Sequence, residues 1–69
     1  MYRLRKNKLK YIKNRIKTQV QMANITGLDR SYISQIYNGR GVSKVGAFAI
    51  TKAVSPDLEI IDLFENVEE

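Results

Sequence analysis

A chain of 69 residues without cysteine or histidine must fold on one small apolar core, with no disulfide or thiolate metal site to strengthen it. At this length folding buries only roughly 60% of the unfolded chain's surface, so we expect a single domain. Hydrophobic residues make up 43% of the sequence, which is enough for a packed domain. Without cysteine and histidine the chain also lacks a thiol nucleophile and the usual general base, so we expect no enzyme, no metal and no cofactor.

The longest uninterrupted apolar stretch covers only a few residues, as at 47–50. A transmembrane helix needs about 20 apolar residues, and no segment is typical of a signal peptide. The lack of cysteine agrees with a reducing compartment. We therefore predict a cytoplasmic protein with no membrane partner and no small-molecule ligand.

Charge is distributed unevenly along the chain. All 12 lysines and arginines lie between Arg3 and Lys52, and Asp29 is the only acid in that stretch. The remaining acids lie from Asp57 onward. A strongly basic stretch in a small domain with a net charge of +5 is typical of a protein that binds a phosphate backbone, although a merely solvated basic surface has the same composition.

Capping residues divide the first two thirds of the chain into short helices. Four residues are suited to accept amide hydrogen bonds at a helix N-terminus: Asn7, Thr18, Asp29 and Ser43. Gln21 occupies the capping-box position relative to Thr18, and Gly27 and Gly39 are suited to end helices. The first three helices are predicted at about 7–14, 18–27 and 30–38.

Two further helices complete the predicted fold. The fourth follows Ser43 and carries Val45 and Phe48, among others. Ser55 and Pro56 are predicted to cap and open the fifth, which runs to about Glu65. Its inward residues are predicted to be Leu58 and Ile61, with Phe64 or Leu63.

No alternating strand pattern persists over more than a few positions. The predicted fold class is therefore all-α, a compact bundle of five short helices. A basic arm is predicted at 1–6, the helical domain at 7–65 and an acidic tail at 66–69.

The segment 18–39, TQVQMANITGLDRSYISQIYNG, is predicted to hold two short helices that meet at a tight turn. Such a unit needs a small residue where the helices touch, a glycine in the turn and a buried aliphatic residue in the second helix. Ala23, Gly27 and Ile33 supply them. In this joint register the segment resembles the phage repressor and Cro family, often called Xre-like, with its Thr-Gln, Met-Ala, Ile-Ser and Asn-Gly pairs. The resemblance covers most of residues 7–64 and implies a lambda-repressor-like helix-turn-helix protein that binds double-stranded DNA.

The resemblance also implies which side chains contact DNA. Family members read base edges in the major groove from the positions of Arg30, Ser31 and Gln35, where arginine suits guanine and glutamine suits adenine. Tyr32 either joins them or covers the neighbouring helix. Three residues are candidates for phosphate contacts: Gln19, Asn38 and Arg40. Lys44 is a fourth candidate, although no motif fixes its geometry.

Each of these side chains could otherwise be an ordinary exposed residue. The positions of Arg30, Ser31 and Gln35, opposite the apolar Ile33 and Ile36, favour the interpretation as DNA contacts. The basic residues of the arm are further candidates for phosphate contacts, without a motif that fixes their geometry: Arg3, Arg5 and Lys6.

The sequence departs from the family at three positions. A family glutamate often pairs with a basic residue of the first helix, but Tyr37 stands there, opposite Lys13. We expect Tyr37 to pack over the first helix with its hydroxyl near solvent. In the turn, Thr26 stands where an aliphatic residue is common, and Ile25 where a polar residue is common.

The resemblance implies a transcriptional regulator, in particular a Cro-like repressor that acts as a homodimer on a symmetric operator. Ile60 and Leu63 are the predicted self-association residues. The alternative is an antitoxin or anti-regulator that binds a protein partner through its acidic last helix. The acidic residues at that end also have an explanation that needs no partner, because they would keep this face away from DNA.

Overall fold

The computed structural model describes residues 1–67, which form five α-helices and a two-stranded sheet. The helices are α1 (Leu9–Arg15), α2 (Gln19–Thr26), α3 (Arg30–Tyr37), α4 (Lys44–Val54) and α5 (Ile60–Leu63). The strands are β1 (Tyr2–Leu4) and β2 (Phe64–Asn66). The predicted five-helix bundle is confirmed as a compact domain of 30 × 25 × 20 Å. Among the described residues, no helix is long and apolar enough to cross a bilayer.

Side-chain caps start the three central helices where the sequence predicts them. A side-chain oxygen accepts a hydrogen bond from a first-turn amide in each case: Thr18 from Gln21 at 3.1 Å, Asp29 from Ser31 at 3.0 Å, and Ser43 from Gly46 at 3.3 Å. The predicted capping box forms differently, because Gln21 Oε1 accepts from the Lys17 amide at 3.1 Å rather than from Thr18.

The predicted start of α1 at Asn7 is wrong. Asn7 lies inside a 3₁₀ turn (Lys6–Lys8), closed by a 2.9 Å hydrogen bond from the Lys8 amide to the Arg5 carbonyl. An N-cap needs an extended backbone, and this turn already curls the chain before α1 begins at Leu9. No side chain caps α1.

The predicted role of Ser55 and Pro56 is also wrong. They begin a turn, closed by a 3.2 Å hydrogen bond from the Leu58 amide to the Ser55 carbonyl, with proline at the second position that such turns favour. Lys52 Nζ donates to the carbonyls of Pro56 and Leu58, at 3.2 and 2.7 Å. The turn delays α5 until Ile60, where the Glu59 amide donates to Asp62 Oδ2 at 2.8 Å.

Buried aliphatic and aromatic side chains from every α-helix and from both strands form one core. Its fully buried large side chains include Ile12, Met22, Ile33, Ile36, Ile50, Leu63 and Phe64. Two predictions for α5 are wrong. Ile61, which is predicted to face inward, is exposed, and Leu63, which is predicted to lie on an exposed self-association surface, is buried. The chain changes from helix to strand at Phe64, so the helical period does not continue past Leu63.

A small sheet joins the two ends of the described chain. β1 and β2 are antiparallel, with Leu4 opposite Phe64 and Tyr2 opposite Asn66. Tyr2 also exchanges two backbone hydrogen bonds with Val42, of 2.8 and 2.7 Å. The segment predicted as a basic arm is thereby joined to the helical domain. The first residue of the predicted acidic tail, Asn66, belongs to β2, and residues 68–69 lie outside the described residues.

Candidate nucleic-acid interface

A three-residue turn connects α2 to α3. Gly27 ends α2 with φ of +76°, a backbone conformation that glycine adopts without steric cost. Thr26 Oγ1 donates to the Met22 carbonyl at 2.7 Å and accepts from the Leu28 amide at 3.2 Å. Thr26 therefore stabilises the turn by hydrogen bonds that an aliphatic residue cannot make.

The two faces of α3 differ in character. Ile33 and Ile36 are fully buried, and they fix the inner face of the helix against the core. Arg30, Ser31 and Gln35 are exposed, as the sequence predicts. The structure therefore brings these three candidate base-contact residues to one accessible helix.

Tyr32 occupies a flank of α3 that packs against α4. Its side chain is half-buried, and a Cβ at Gly46 would lie 3.4 Å from the Tyr32 hydroxyl. Of the two roles that the sequence allows, this placement favours covering the neighbouring helix. The base-contact hypothesis then rests on Arg30, Ser31 and Gln35.

The chain reverses direction just after α3. Asn38 caps the helix, and Gly39 follows with φ of +100°. This bend allows the Arg40 amide to donate to the Gln35 carbonyl at 3.0 Å, and the Arg40 guanidinium donates to the Gln35 side-chain oxygen. A candidate base-contact residue and a candidate phosphate-contact residue are thus joined directly.

The other candidate phosphate-contact residues lie at helix ends. Gln19 is half-buried and begins α2, whereas Lys44 is exposed and begins α4. Amides in the first turn of a helix have no partner within the helix, and the helix dipole favours a negative charge there. Asn38 is exposed at the C-terminal end of α3, so it depends on its side-chain amide for any phosphate contact.

Two arginines of the N-terminal segment hold distant carbonyls. Arg3 Nε donates to the Gly39 carbonyl at 3.0 Å, just beyond α3. Arg5 Nε donates to the Ile61 carbonyl at 3.1 Å, and its guanidinium lies 4.0 Å from the Glu65 carboxylate. Sequence reasoning missed both roles, because the partners are 36 and 56 residues away and no local pattern signals them.

Tyr37 is placed differently from the expectation. Its hydroxyl is buried, with no protein hydrogen-bond partner among the described residues, rather than near solvent. The ring lines a groove with Leu4 of β1 and Leu9 of α1. The side chain is partly buried against the core. Burial raises the pKa of the Tyr37 hydroxyl above its ordinary value of 10.0, because the phenolate would lose hydration.

Most of the positive charge is not neutralised by ion pairs within the described residues. Among residues 1–67, Arg5 and Glu65 form the only ion pair. On α1, the Arg15 guanidinium lies 5.3 Å from the centre of the Tyr11 ring, an arrangement that retains the full charge. Within the same residues, no group of three or more acidic side chains comes together as a metal site requires.

No protein-family model, curated protein or solved structure matches this chain.

Proposed function

We propose that this protein is a sequence-specific double-stranded DNA-binding regulator, in particular a Cro-like repressor of the Xre-like type. The observation that carries the proposal is α3, which buries Ile33 and Ile36 and exposes Arg30, Ser31 and Gln35. An arginine and a glutamine on an exposed helix can each form the paired hydrogen bonds that distinguish guanine and adenine in the major groove. The likeness of segment 18–39 to the repressor family supports the same function.

The electrostatics support a polyanionic ligand. The net charge is +5, and the basic residues from Lys6 to Lys44 make no ion pair within the described part of the chain. Lysine and arginine side chains that remain free can replace the counterions along a DNA backbone. Such contacts add affinity for any sequence, so specificity must come from α3.

The alternative, a protein partner bound through the acidic last helix, has weaker support. α5 has only four residues, and its Asp62 carboxylate accepts the Glu59 amide. Glu65 lies in β2 beside Arg5 rather than on that helix. An acidic helical face long enough to recognise a partner is therefore not formed by the described residues.

A binding-site selection from random duplex DNA, run at low and at moderate salt, tests the proposal. We expect an enriched motif that persists at moderate salt, because base contacts depend less on counterion release than phosphate contacts do. Arg30→Ala and Gln35→Ala should each relax the preference at one base pair, at a cost of about 1–3 kcal/mol for the preferred sequence.

Lys10→Ala is the matched control. Lys10 is an exposed basic residue of α1, so its removal subtracts one charge without altering α3. It should leave the preferred sequence unchanged, with only a uniform loss of affinity. A selection that enriches no motif, or a motif unaffected by both α3 variants, contradicts the proposal.

A further inference from the structure

Arg3 connects the first strand to the bend that follows α3. It lies in the middle of β1, and its Nε donates to the Gly39 carbonyl at 3.0 Å. The backbone around Arg3 is fixed on two sides, because β1 pairs with β2 and Tyr2 exchanges hydrogen bonds with Val42. Arg3 therefore extends from a strand that is anchored to the rest of the domain, and it binds a residue 36 positions away in the sequence.

The bend at Gly39 is closed by short-range hydrogen bonds and by Arg3. Gly39 has φ of +100°, and a glycine can adopt many other backbone conformations at little steric cost. Within the bend, the Gly39 amide donates to the Ile36 carbonyl at 3.1 Å, and the Arg40 amide donates to the Gln35 carbonyl at 3.0 Å. The bond from Arg3 differs from these two, because it links the bend to a separate part of the fold.

Arg40, the residue after the bend, contacts Gln35 through its backbone and through its side chain. Its amide binds the Gln35 carbonyl, and its guanidinium donates to the Gln35 side-chain oxygen. A displacement of Gly39 would therefore move Arg40 and alter both contacts with Gln35. Recognition requires a side chain to be placed within about 0.5 Å of its working geometry. The loss of one exposed hydrogen bond at the bend can then change a base preference while the domain stays folded.

We propose that Arg3 is a positioning residue that determines specificity: by binding the Gly39 carbonyl it fixes the bend, and through Arg40 it sets the position of Gln35. The inference rests on the proposed function, in which Gln35 contacts a base. It gives Arg3 a role that differs from a phosphate contact, because phosphate contacts carry no sequence information.

Arg5 provides the matched control for Arg3. It belongs to the same N-terminal segment, and its Nε likewise donates to a carbonyl, at 3.1 Å. That carbonyl belongs to Ile61 of α5 and not to the bend after α3. Arg3→Ala and Arg5→Ala each remove one positive charge and one exposed hydrogen bond, and Arg5→Ala also removes the ion pair with Glu65. Both variants should stay folded, which thermal unfolding of each protein checks.

Amide hydrogen exchange without DNA, measured by NMR, tests whether Arg3 fixes the bend. The amides of Gly39 and Arg40 should exchange about fivefold faster or more in Arg3→Ala, because the loss of a hydrogen bond makes local opening easier. Arg5→Ala should leave both rates within about twofold of the original protein. The Ile33 amide, inside α3, is the internal reference, and a similar rate in all three proteins shows that the helix is intact.

Competition titrations with single-base variants of the selected DNA sequence test the role in specificity. Arg3→Ala should reduce, about fivefold or more, the preference at the base pair that Gln35→Ala also affects. The preference at the base pair that Arg30 reads should change by less than about twofold, because Arg30 begins α3 and lies far from the bend. Arg5→Ala should only lower the affinity for all sequences alike. In the Gln35→Ala protein, Arg3→Ala should have no further effect on base preference.

Two results would overturn the inference: exchange rates of the bend amides that are equal in Arg3→Ala and the original protein, or a base preference that Arg3→Ala and Arg5→Ala reduce equally. A preferred sequence that depends on Gln35 but not on Arg3 overturns the inference and leaves the proposed function standing. If the original protein enriches no sequence, the proposed function fails, and exchange that is faster only in Arg3→Ala still supports the fixing of the bend by Arg3.

Discussion

The Arg40 guanidinium donates a hydrogen bond to the side-chain oxygen of Gln35, across the bend that follows α3. The Arg40 amide binds the Gln35 carbonyl as well, so the two residues are connected through both backbone and side chain. Because its oxygen accepts from Arg40, the Gln35 side chain leaves its NH₂ group available to another partner. We therefore expect Arg40 to position Gln35 in addition to any contact with phosphate.

Arg40→Ala should reduce specificity as well as affinity. A residue that only contacts phosphate lowers binding uniformly and reduces the salt slope by about 1. Because Arg40 also orients Gln35, its loss should weaken the preference at the same base pair that Gln35→Ala affects. Competition titrations with single-base operator variants measure this. In a double-mutant cycle, additive effects of the two substitutions would contradict the coupling.

Tyr37→Phe should stabilise the protein by about 1 kcal/mol. The Tyr37 hydroxyl is buried without a protein partner, and an unsatisfied buried polar group costs about 1–3 kcal/mol. Phenylalanine keeps the ring that packs beside Leu4 and Leu9. Urea unfolding of both proteins measures the difference, and a clear loss of stability in the variant would show that the hydroxyl makes a favourable hydrogen bond.

The same residue should make stability fall at high pH. Burial raises the pKa of Tyr37 in the folded state, so the unfolded chain loses this proton first as the pH rises. The stability that arises from this pKa difference is fully present below pH 10.0, the ordinary pKa. It is lost as the pH rises towards the pKa of Tyr37 in the folded state. Tyr37→Phe should flatten this decline relative to the original protein. The free energy of unfolding in urea is measured for both proteins between about pH 8 and 11. If it changes with pH equally in the two proteins, the prediction is contradicted.

Gly46→Ala should destabilise the contact between α3 and α4. A Cβ at Gly46 would lie 2.6 Å from Val42 Cγ2 and 3.4 Å from the Tyr32 hydroxyl. Overpacking of this kind costs about 1–3 kcal/mol, which exceeds or matches the gain of about 1 kcal/mol from replacing a helical glycine. We expect a net loss of about 1 kcal/mol in thermal unfolding. Val42→Ala provides the control, because Gly46→Ala should cost less in that background, where the clashing methyl group is gone.

Leu4→Ala should lower the free energy of unfolding by about 2–5 kcal/mol. Leu4 is only 4% exposed and lies in β1 opposite Phe64. Arg3→Ala should cost less, because it removes one exposed hydrogen bond to Gly39. Lys6→Ala, at an exposed position in the same segment, should change stability by less than about 0.5 kcal/mol. A small effect of Leu4→Ala would mean that β1 detaches readily from the domain.

Local chemistry predicted much of the central region. Thr18, Asp29 and Ser43 start helices because their short polar side chains bond amides two or three residues away, and that information lies within one turn of sequence. Gly27 and the spacing of Ile33 and Ile36 likewise determined where α2 ends and which face of α3 is buried. The exposure of Arg30, Ser31 and Gln35 follows from that spacing.

Ser55–Pro56 shows where local chemistry was ambiguous. A serine followed by proline is suited both to opening a helix and to starting a turn. Lys52 stabilises the turn, because its Nζ donates hydrogen bonds to two carbonyls there. No local preference encodes that contact.

The sequence by itself determined the helices of segment 18–39 and the exposed face of α3, because capping and helical periodicity act over a few residues. Only the tertiary structure decided that the N-terminal segment pairs with β2, that Arg3 binds the Gly39 carbonyl beyond α3, and that the Tyr37 hydroxyl is buried. Those contacts join residues far apart in the chain. They form because packing one small core brings both ends of the described chain together, and no local pattern records which distant residues will meet.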